Sequence, residues 1–297
     1  MKSDLRLSIG GVAGSLALEG PAPEIRRIQA RYAPFRISDV RTTFSLDLDL
    51  GATRGAWGGA EAGRVLARGG NLKIARSDFL VSLALKGSRW SGRGRCEADP
   101  FSFDSLLRVL WSAFLPREGG FLLHACGLRR GGEGWVFPGQ SGAGKSTLAR
   151  KMKDPRDVLS DELTAVRRGE GGAWRVTATP FFGEFRSGRG GSQAWPLAGI
   201  AFLGRAKELR VVPISPAAST HRLMGTILCF ETDPEAVLRN LALAAALCGE
   251  VPCCEAKPAL RTRPETLFQA LRPKEKIDEH ERERRVPSRG RLSLSKS

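Results

Sequence analysis

Residues 139–147 read Gly-Gln-Ser-Gly-Ala-Gly-Lys-Ser-Thr and match G-x-x-x-x-G-K-[ST] at every fixed position. The chemistry requires each of those residue types. Glycines let the backbone fold into a nest whose N–H groups face phosphate oxygens. The helix expected to follow adds its positive N-terminal end. The Lys145 ammonium reaches β- and γ-phosphates as a mobile point charge, and the Ser146 hydroxyl is a ligand for Mg²⁺. Gly139, Ser141, Gly142, Ala143, Gly144, Lys145, Ser146 and Thr147 are therefore the expected nucleotide contacts. The apolar run Trp135–Phe137 before the motif and the helical STLARKMK after it supply the strand–loop–helix setting that the chemistry needs.

Two carboxylates follow closely. Asp161 and Glu162 lie 16 and 17 residues past Lys145, directly after the short apolar run VLS. One helix and one tight return would bring that strand end beside the glycine loop. A carboxylate there can hold Mg²⁺, which makes Ser146 and Asp161 the expected metal ligands, or accept a proton from an attacking hydroxyl. His124 sits in the middle of FLLHACGL, on the strand expected to form a hairpin with the one entering the loop. A histidine in an apolar strand is most often a satisfied core residue. The hairpin geometry would instead put it beside the γ-phosphate or the acid pair.

Taken together, HACG on a strand, the hairpin into GQSGAGKST and the Ser-Asp-Glu after the first helix resemble HPr kinase/phosphorylase, best over residues 120–180. TPFFGE (179–184) and PLAGIAFL (196–203) are similar to segments of more distant HPr-kinase-like proteins from peptide-modification clusters. The resemblance implies an α/β fold with a P-loop core of the HPr kinase/phosphoenolpyruvate carboxykinase type and a mixed sheet. It implies an ATP- and Mg²⁺-dependent kinase acting on a serine of a protein or peptide, and an oligomer. By position Asp161 would be the base that deprotonates the acceptor serine, Glu162 the second acid, and His124 the family's histidine; Lys145 completes the catalytic set. The bifunctional enzymes have Asp-Asp where this chain has Asp-Glu, and the second signature associated with phosphorolysis is not found. A kinase without the reverse activity is therefore expected. Arg186 and Arg189 could stabilise transferred charge from a loop, although a solvent-facing loop is the simpler account.

Positioning these groups requires a scaffold, and the chain divides into three stretches. Residues 1–98 read as a small, mostly β domain. FSLDLDL (44–50) alternates apolar and polar residues as a half-buried strand does, DFLVSLALKG (78–87) is a second strand, and GATRGAWGGAEAG between them is a loop. Residues 99–272 read as the kinase domain. In it, FSFDSLLRVLWSAFL (101–115) has helical apolar spacing. FLLHACGL and WVFPG form a hairpin, and LTAVRR and AWRVTA another around GEGG. LAGIAFL and ELRVVPI are strands, and DPEAVLRNLALAAALCGE is a helix capped by Asp233 with Pro234 at its first position. Residues 273–297 are charged, poor in apolar groups and expected to be disordered.

Composition narrows the alternatives. The 297 residues are 41% apolar, enough for a substantial core, and no run of about 18 uncharged apolar residues predicts a membrane span. Asp4 and Arg6 stand where a signal peptide would have its apolar stretch, so a cytoplasmic location is expected. The six cysteines show no CxxC spacing and read as partly buried thiols. The net charge of +16 raises the question of nucleic acid, but the arginines are scattered and no aromatic-interleaved basic motif appears. Nucleic acid is not the expected partner. Two other functions compete: a non-catalytic nucleotide-binding module, and a small-molecule kinase or carboxykinase-like enzyme. With three histidines, His124, His221 and His280, the carboxykinase's further metal site is hard to build.

Overall fold

A computed structural model describes residues 1–38, 40–51, 63–139, 142–184 and 191–272. Gln140, Ser141, Arg186, Arg189 and the tail 273–297 lie outside the described residues, as does most of the 51–63 loop. The first half of the chain builds one seven-stranded sheet. Its strands are β1 (Lys2–Ile9), β2 (Val12–Glu19), β3 (Phe44–Leu50), β4 (Arg64–Arg68), β5 (Asn71–Arg76), β6 (Phe79–Lys86) and β7 (Arg89–Cys96), in the order β1-β2-β3-β7-β6-β5-β4. Helix α1 (Ala22–Tyr32) connects β2 to β3, which pair in parallel. The period-2 pattern of β3 places Phe44, Leu46, Leu48 and Leu50 on the buried face, and Asp47 and Asp49 opposite Arg93 and Arg95 of β7 on the other. That outer face forms an open concavity of about 1090 Å³. Its Arg95–Asp49 contact at 3.4 Å is exposed and contributes little to stability.

Helix α2 (Pro100–Arg117) joins the two halves. Asp99 caps it by accepting the Ser102 N–H at 3.0 Å, and Pro100 occupies the first turn, where no donor is needed. It is apolar around most of its circumference because it is covered on most sides. Phe44 of β3 stacks on Phe114 at 4.5 Å and meets Trp111 edge-on at 5.1 Å. Trp111 also donates its indole N–H to the Val12 carbonyl at 3.1 Å. Val65 forms an isolated bridge with Glu231, and the Arg117 guanidinium grips the buried Glu231 at 2.6 and 2.9 Å. One hydrophobic core therefore runs from the first sheet through α2 into the second.

The second half contains β8 (Gly120–Arg130), β9 (Glu133–Pro138), α3 (Lys145–Arg150), β10 (Val158–Ser160), β11 (Leu163–Arg168), β12 (Trp174–Thr177), β13 (Ala194–Leu203), β14 (Arg210–Pro213), α4 (Pro216–Met224), α5 (Pro234–Glu250), β15 (Cys253–Lys257) and α6 (Pro264–Leu271). Its sheet runs β10-β8-β11-β12-β13-β15-β14, and β9 pairs with both β8 and β13. Strands β8, β11, β12, β13 and β9 thus close on themselves. The β13–β9 and β13–β15 pairs are parallel and the others antiparallel, so the sheet is mixed. The long run of buried residues in β8 reflects cover on both faces. A second cluster around Trp135, Phe137, Leu148 and Phe268 packs α3 and α6 against the far side of this sheet. Among the described residues no helix is long and apolar enough to cross a membrane.

Candidate functional site

The site assembles at the middle of β8. The register of the β8–β9 hairpin pairs Ala125 with Pro138, so the glycine loop starts opposite His124, and the Gly139 N–H donates to the His124 carbonyl at 3.2 Å. On the other side of β8, β11 pairs Leu163 with His124, and the Ala125 N–H donates to the Glu162 carbonyl at 3.0 Å. The same two residues of β8 therefore hold the start of the loop on one side and the acid pair on the other. The turn carrying the acids is fixed by Ser160. Its hydroxyl donates to the Phe181 carbonyl at 3.1 Å and accepts from the Glu162 and Leu163 N–H groups, both at 3.2 Å.

Gly142 and Gly144 adopt positive φ, 80° and 101°, where an L side chain is strained. Helix α3 starts at Lys145 and is short, at six residues. Lys145 is only 6% exposed and donates its ammonium to the Gly139 carbonyl at 2.6 Å. Burial lowers its pKa from the ordinary lysine value, against the opposing pull of Cys126, Asp161 and Glu162. Asp161 is 3% exposed, and its Oδ1 accepts the Gly183 N–H at 2.9 Å. Ser146 is half-buried and Thr147 exposed on the first turn of α3. Ser141 lies outside the described residues.

His124 is half-buried. Burial first, then Lys145, lowers its pKa below the usual value of 6.5; Arg108 adds to the shift and Glu162 opposes it. At neutral pH the ring is therefore uncharged, able to donate or accept a hydrogen bond but not to act as a fixed cation. Cys126, two residues on, is fully buried, and burial raises its thiol well above the ordinary range, so it is an inert neighbour rather than a nucleophile.

Glu162 is not an open carboxylate. Arg108 of α2 grips it with both Nη atoms, at 2.8 and 3.1 Å, and donates its Nε to Asp104 at 2.9 Å. Arg108 and Asp104 escape the sequence reading because α2 reads as an apolar helix. The faint signal is that they are an acid–base pair four residues apart inside it.

Two cavities flank this point. One, about 430 Å³, adjoins the glycine loop and is lined by Leu148, Lys151, Leu203, Arg205, Leu260 and Leu267 among others. Arg205 donates to the Gly142 carbonyl at 2.9 Å, and Lys151 donates to the carbonyls of Leu260 and Thr262 at 2.6 and 3.2 Å. The other, about 470 Å³, lies between the two sheets and is lined by Arg76, Arg108, His124, Glu162, Ile227 and Phe230 among others. Sequence reasoning names neither pocket, because their walls come from segments up to 120 residues from the loop.

Among the described residues no three His, Cys, Asp or Glu side chains gather as a metal cage. Ser146 and Asp161 offer a hydroxyl and a carboxylate. That donor set fits a Mg²⁺ ion bridging nucleotide phosphates, which takes one or two protein oxygens and fills its shell with phosphate and water.

Lys145 thus acts on His124, and Asp161 and Glu162 act on Lys145, beside the start of the glycine loop. Residues 102–241, a little under half of the chain, match the family described as SynChlorMet cassette protein ScmC. No curated protein matches the chain.

Proposed function

We propose that the protein is a cytoplasmic ATP-dependent serine kinase of the HPr-kinase-like kind, transferring the γ-phosphoryl group of Mg-ATP to a hydroxyl of a protein or peptide. The reading takes residues 99–272 as a P-loop kinase domain of the HPr kinase/phosphoenolpyruvate carboxykinase type and residues 1–98 as its mostly β N-terminal domain. The observation that carries it is geometric: adjacent residues His124 and Ala125 of β8 hold the start of the glycine loop on one side and the turn of the acid pair on the other, with Lys145 and Asp161 both buried. A buried lysine and a buried aspartate are expensive to keep for stability alone, since apolar side chains of similar volume would do as well or better.

The residues divide the work as follows. The loop 139–147 cradles the triphosphate, with Lys145 leaving the Gly139 carbonyl to meet the β- and γ-phosphates. The apolar walls at Leu148, Leu203 and Leu260 take the base, and Arg205 and Lys151 lie at its polar edge. Ser146 and Asp161 would hold Mg²⁺, which would supply charge to offset that of the phosphates. The acceptor hydroxyl enters from the cleft between the sheets, which His124 and the Arg108-held Glu162 line. Asp161, its rotation fixed by the Gly183 N–H, takes the hydroxyl proton. His124, neutral, hydrogen-bonds the acceptor or the γ-phosphate. Catalysis is mostly positioning and electrostatics.

The test is phosphoryl transfer from labelled ATP and Mg²⁺ to serine-containing peptides and proteins encoded by neighbouring genes, comparing wild type with Lys145→Ala and Asp161→Asn. Transfer to serine that needs both residues supports the kinase. Tight ATP binding with no transfer to any acceptor, and no change on Asp161→Asn, would make the protein a nucleotide-binding module instead.

A further inference from the structure

The site acids are held by a second layer of charge that the mechanism does not use. Its centre is Asp104 on α2, which is 8% exposed. Both of its oxygens are engaged. Oδ1 accepts from Arg31 Nη2 at 2.6 Å and from the Tyr32 hydroxyl at 2.8 Å; Oδ2 accepts from Arg108 Nε at 2.9 Å. Tyr32 is fully buried at the end of α1, and burial raises its pKa well above the ordinary tyrosine value, so its hydroxyl stays a donor.

Each arginine then does two things. Arg108, pinned at Nε, has its guanidinium plane fixed, and its two Nη atoms can meet Glu162 only within that plane, as they do. The same guanidinium lies 5.3 Å from the ring centre of Phe181, and that of Arg31 lies 4.9 Å from the ring centre of Phe182. The next residue is Gly183, whose N–H holds Oδ1 of Asp161. Its position is close: a Cβ there would sit 3.3 Å from Asp161 Oδ2. One carboxylate thus sets two guanidinium planes, the two planes flank two consecutive aromatic rings, and the ring segment delivers the N–H that orients Asp161.

We propose that Asp104 is a positioning residue that sets both site acids, Glu162 through Arg108 and Asp161 through the Phe181–Gly183 segment. A nearly buried carboxylate with two guanidinium partners is a costly way to join α1 to α2, which apolar side chains would join more simply. What it provides is direction: planar donors meet an acceptor in few orientations. Because Arg31 and Tyr32 belong to the N-terminal half, the orientation of the site acids depends on how that half packs on α2.

The consequence for turnover rests on the kinase reading; the positioning itself does not, and the experiment separates the two. Hydrogen exchange of the 179–184 segment and of β8 would be measured on the full chain as wild type, Asp104→Asn and Tyr32→Phe, together with ATP affinity and kcat. Asp104→Asn is expected to speed exchange of the Gly183 amide at least tenfold while β8 amides hold. It should lower kcat at least tenfold with ATP affinity within threefold, and its effect on kcat should shrink in a Glu162→Gln background. Tyr32→Phe keeps both arginine contacts and is expected to lower stability but leave Gly183 exchange and kcat within twofold. Should Asp104→Asn fail to fold, Arg108→Lys keeps the charge, loses the planar bridge and gives the same readouts. Gly183 exchange within twofold of wild type in Asp104→Asn, or in Arg108→Lys where that variant takes its place, overturns the proposal, as does a fall of kcat and ATP affinity in step with the folded fraction. A wild type with no Lys145-dependent turnover sinks the kinase reading, and the exchange measurement then decides the role of Asp104 by itself.

Discussion

Gly144→Ala probes the glycine loop with a penalty that the structure bounds. Gly144 sits at φ 101° and ψ 8°, and Gly142 at φ 80°. A Cβ at either position would meet nothing within 4 Å. No steric clash therefore contributes, and the cost is torsional, about 1–2 kcal/mol for an L residue in left-handed backbone. That energy has two places to go. If the free loop keeps its shape, folding stability falls by this amount. If the free loop relaxes, the strain returns when the loop must close on phosphate, and ATP affinity falls roughly 5- to 30-fold, since about 1.4 kcal/mol is tenfold. Urea unfolding and calorimetric titration with Mg-ATP measure the two shares, which together should reach about 1–2 kcal/mol. Gly139→Ala is the contrasting variant: its Cβ would lie 2.8 Å from that of Ala143, so its cost is a clash rather than a torsion. Gly144→Ala with unchanged stability and unchanged ATP affinity would refute the reasoning, because the left-handed backbone would then play no part.

Four further outcomes are expected. Arg108→Met removes a cation that lowers the His124 pKa and leaves Glu162 to raise it, so His124 should titrate at higher pH; with three histidines in the chain, NMR of their ring carbons follows it directly, and an unmoved titration would place Arg108 outside the field of His124. Because the folded pKa of His124 lies below its unfolded value of 6.5, its neutral form contributes stability above pH 6.5 that is lost as pH falls through the folded value. The stability difference between wild type and His124→Gln should therefore shift against the wild type between pH 7.5 and 5, and a pH-independent difference counts against buried neutral imidazole. Phe44→Ala, which empties a fully buried site against Phe114 and Trp111, should cost about 3–5 kcal/mol and lower one cooperative transition seen alike by circular dichroism and tryptophan fluorescence; two separated transitions would show that the halves do not share a core. Thr177→Val should be neutral or stabilising in thermal melts, since the Thr177 hydroxyl is buried with no hydrogen-bond partner among the described residues; a loss above about 1 kcal/mol would reveal a partner for it.

Several elements are legible in the sequence, for local reasons. FSLDLDL forms β3 over the same residues because one face is buried and one is wet, which is what alternation reports. The helix expected over 101–115 extends to Pro100–Arg117, with its cap and proline at the start, and α5 begins after its Asp233 cap as expected. Strand β7, RWSGRGRC, was not legible. Its two glycines and three arginines carry no apolar alternation, yet β3 and β6 enclose it. A Cβ at Gly92 or Gly94 would come within 2.0 or 2.6 Å of the backbone carbonyls of Ser82 and Leu80, so the strand exists because its glycines fit where side chains do not. Helix α6 and strand β15 carried too little periodicity to read, and they form because α6 packs Phe268 on Trp135 and Phe137 and β15 fills the place beside β13.

The sequence by itself determined which groups the site contains: the glycine loop with Lys145 and Ser146, the nearby Asp161 and Glu162, and a histidine on the adjoining strand. These are fixed by residue type and short spacing, which local backbone geometry turns into position with little help. Only the tertiary structure decided their states. It engaged Glu162 with Arg108, tied Asp161 to Gly183, kept His124 neutral by burial, and opened a cleft between two sheets. The first two outcomes depend on groups 54 and 22 residues apart in sequence meeting at under 3 Å. Charge, hydrogen bonding and desolvation act through distance in space, and no spacing along the chain encodes that distance.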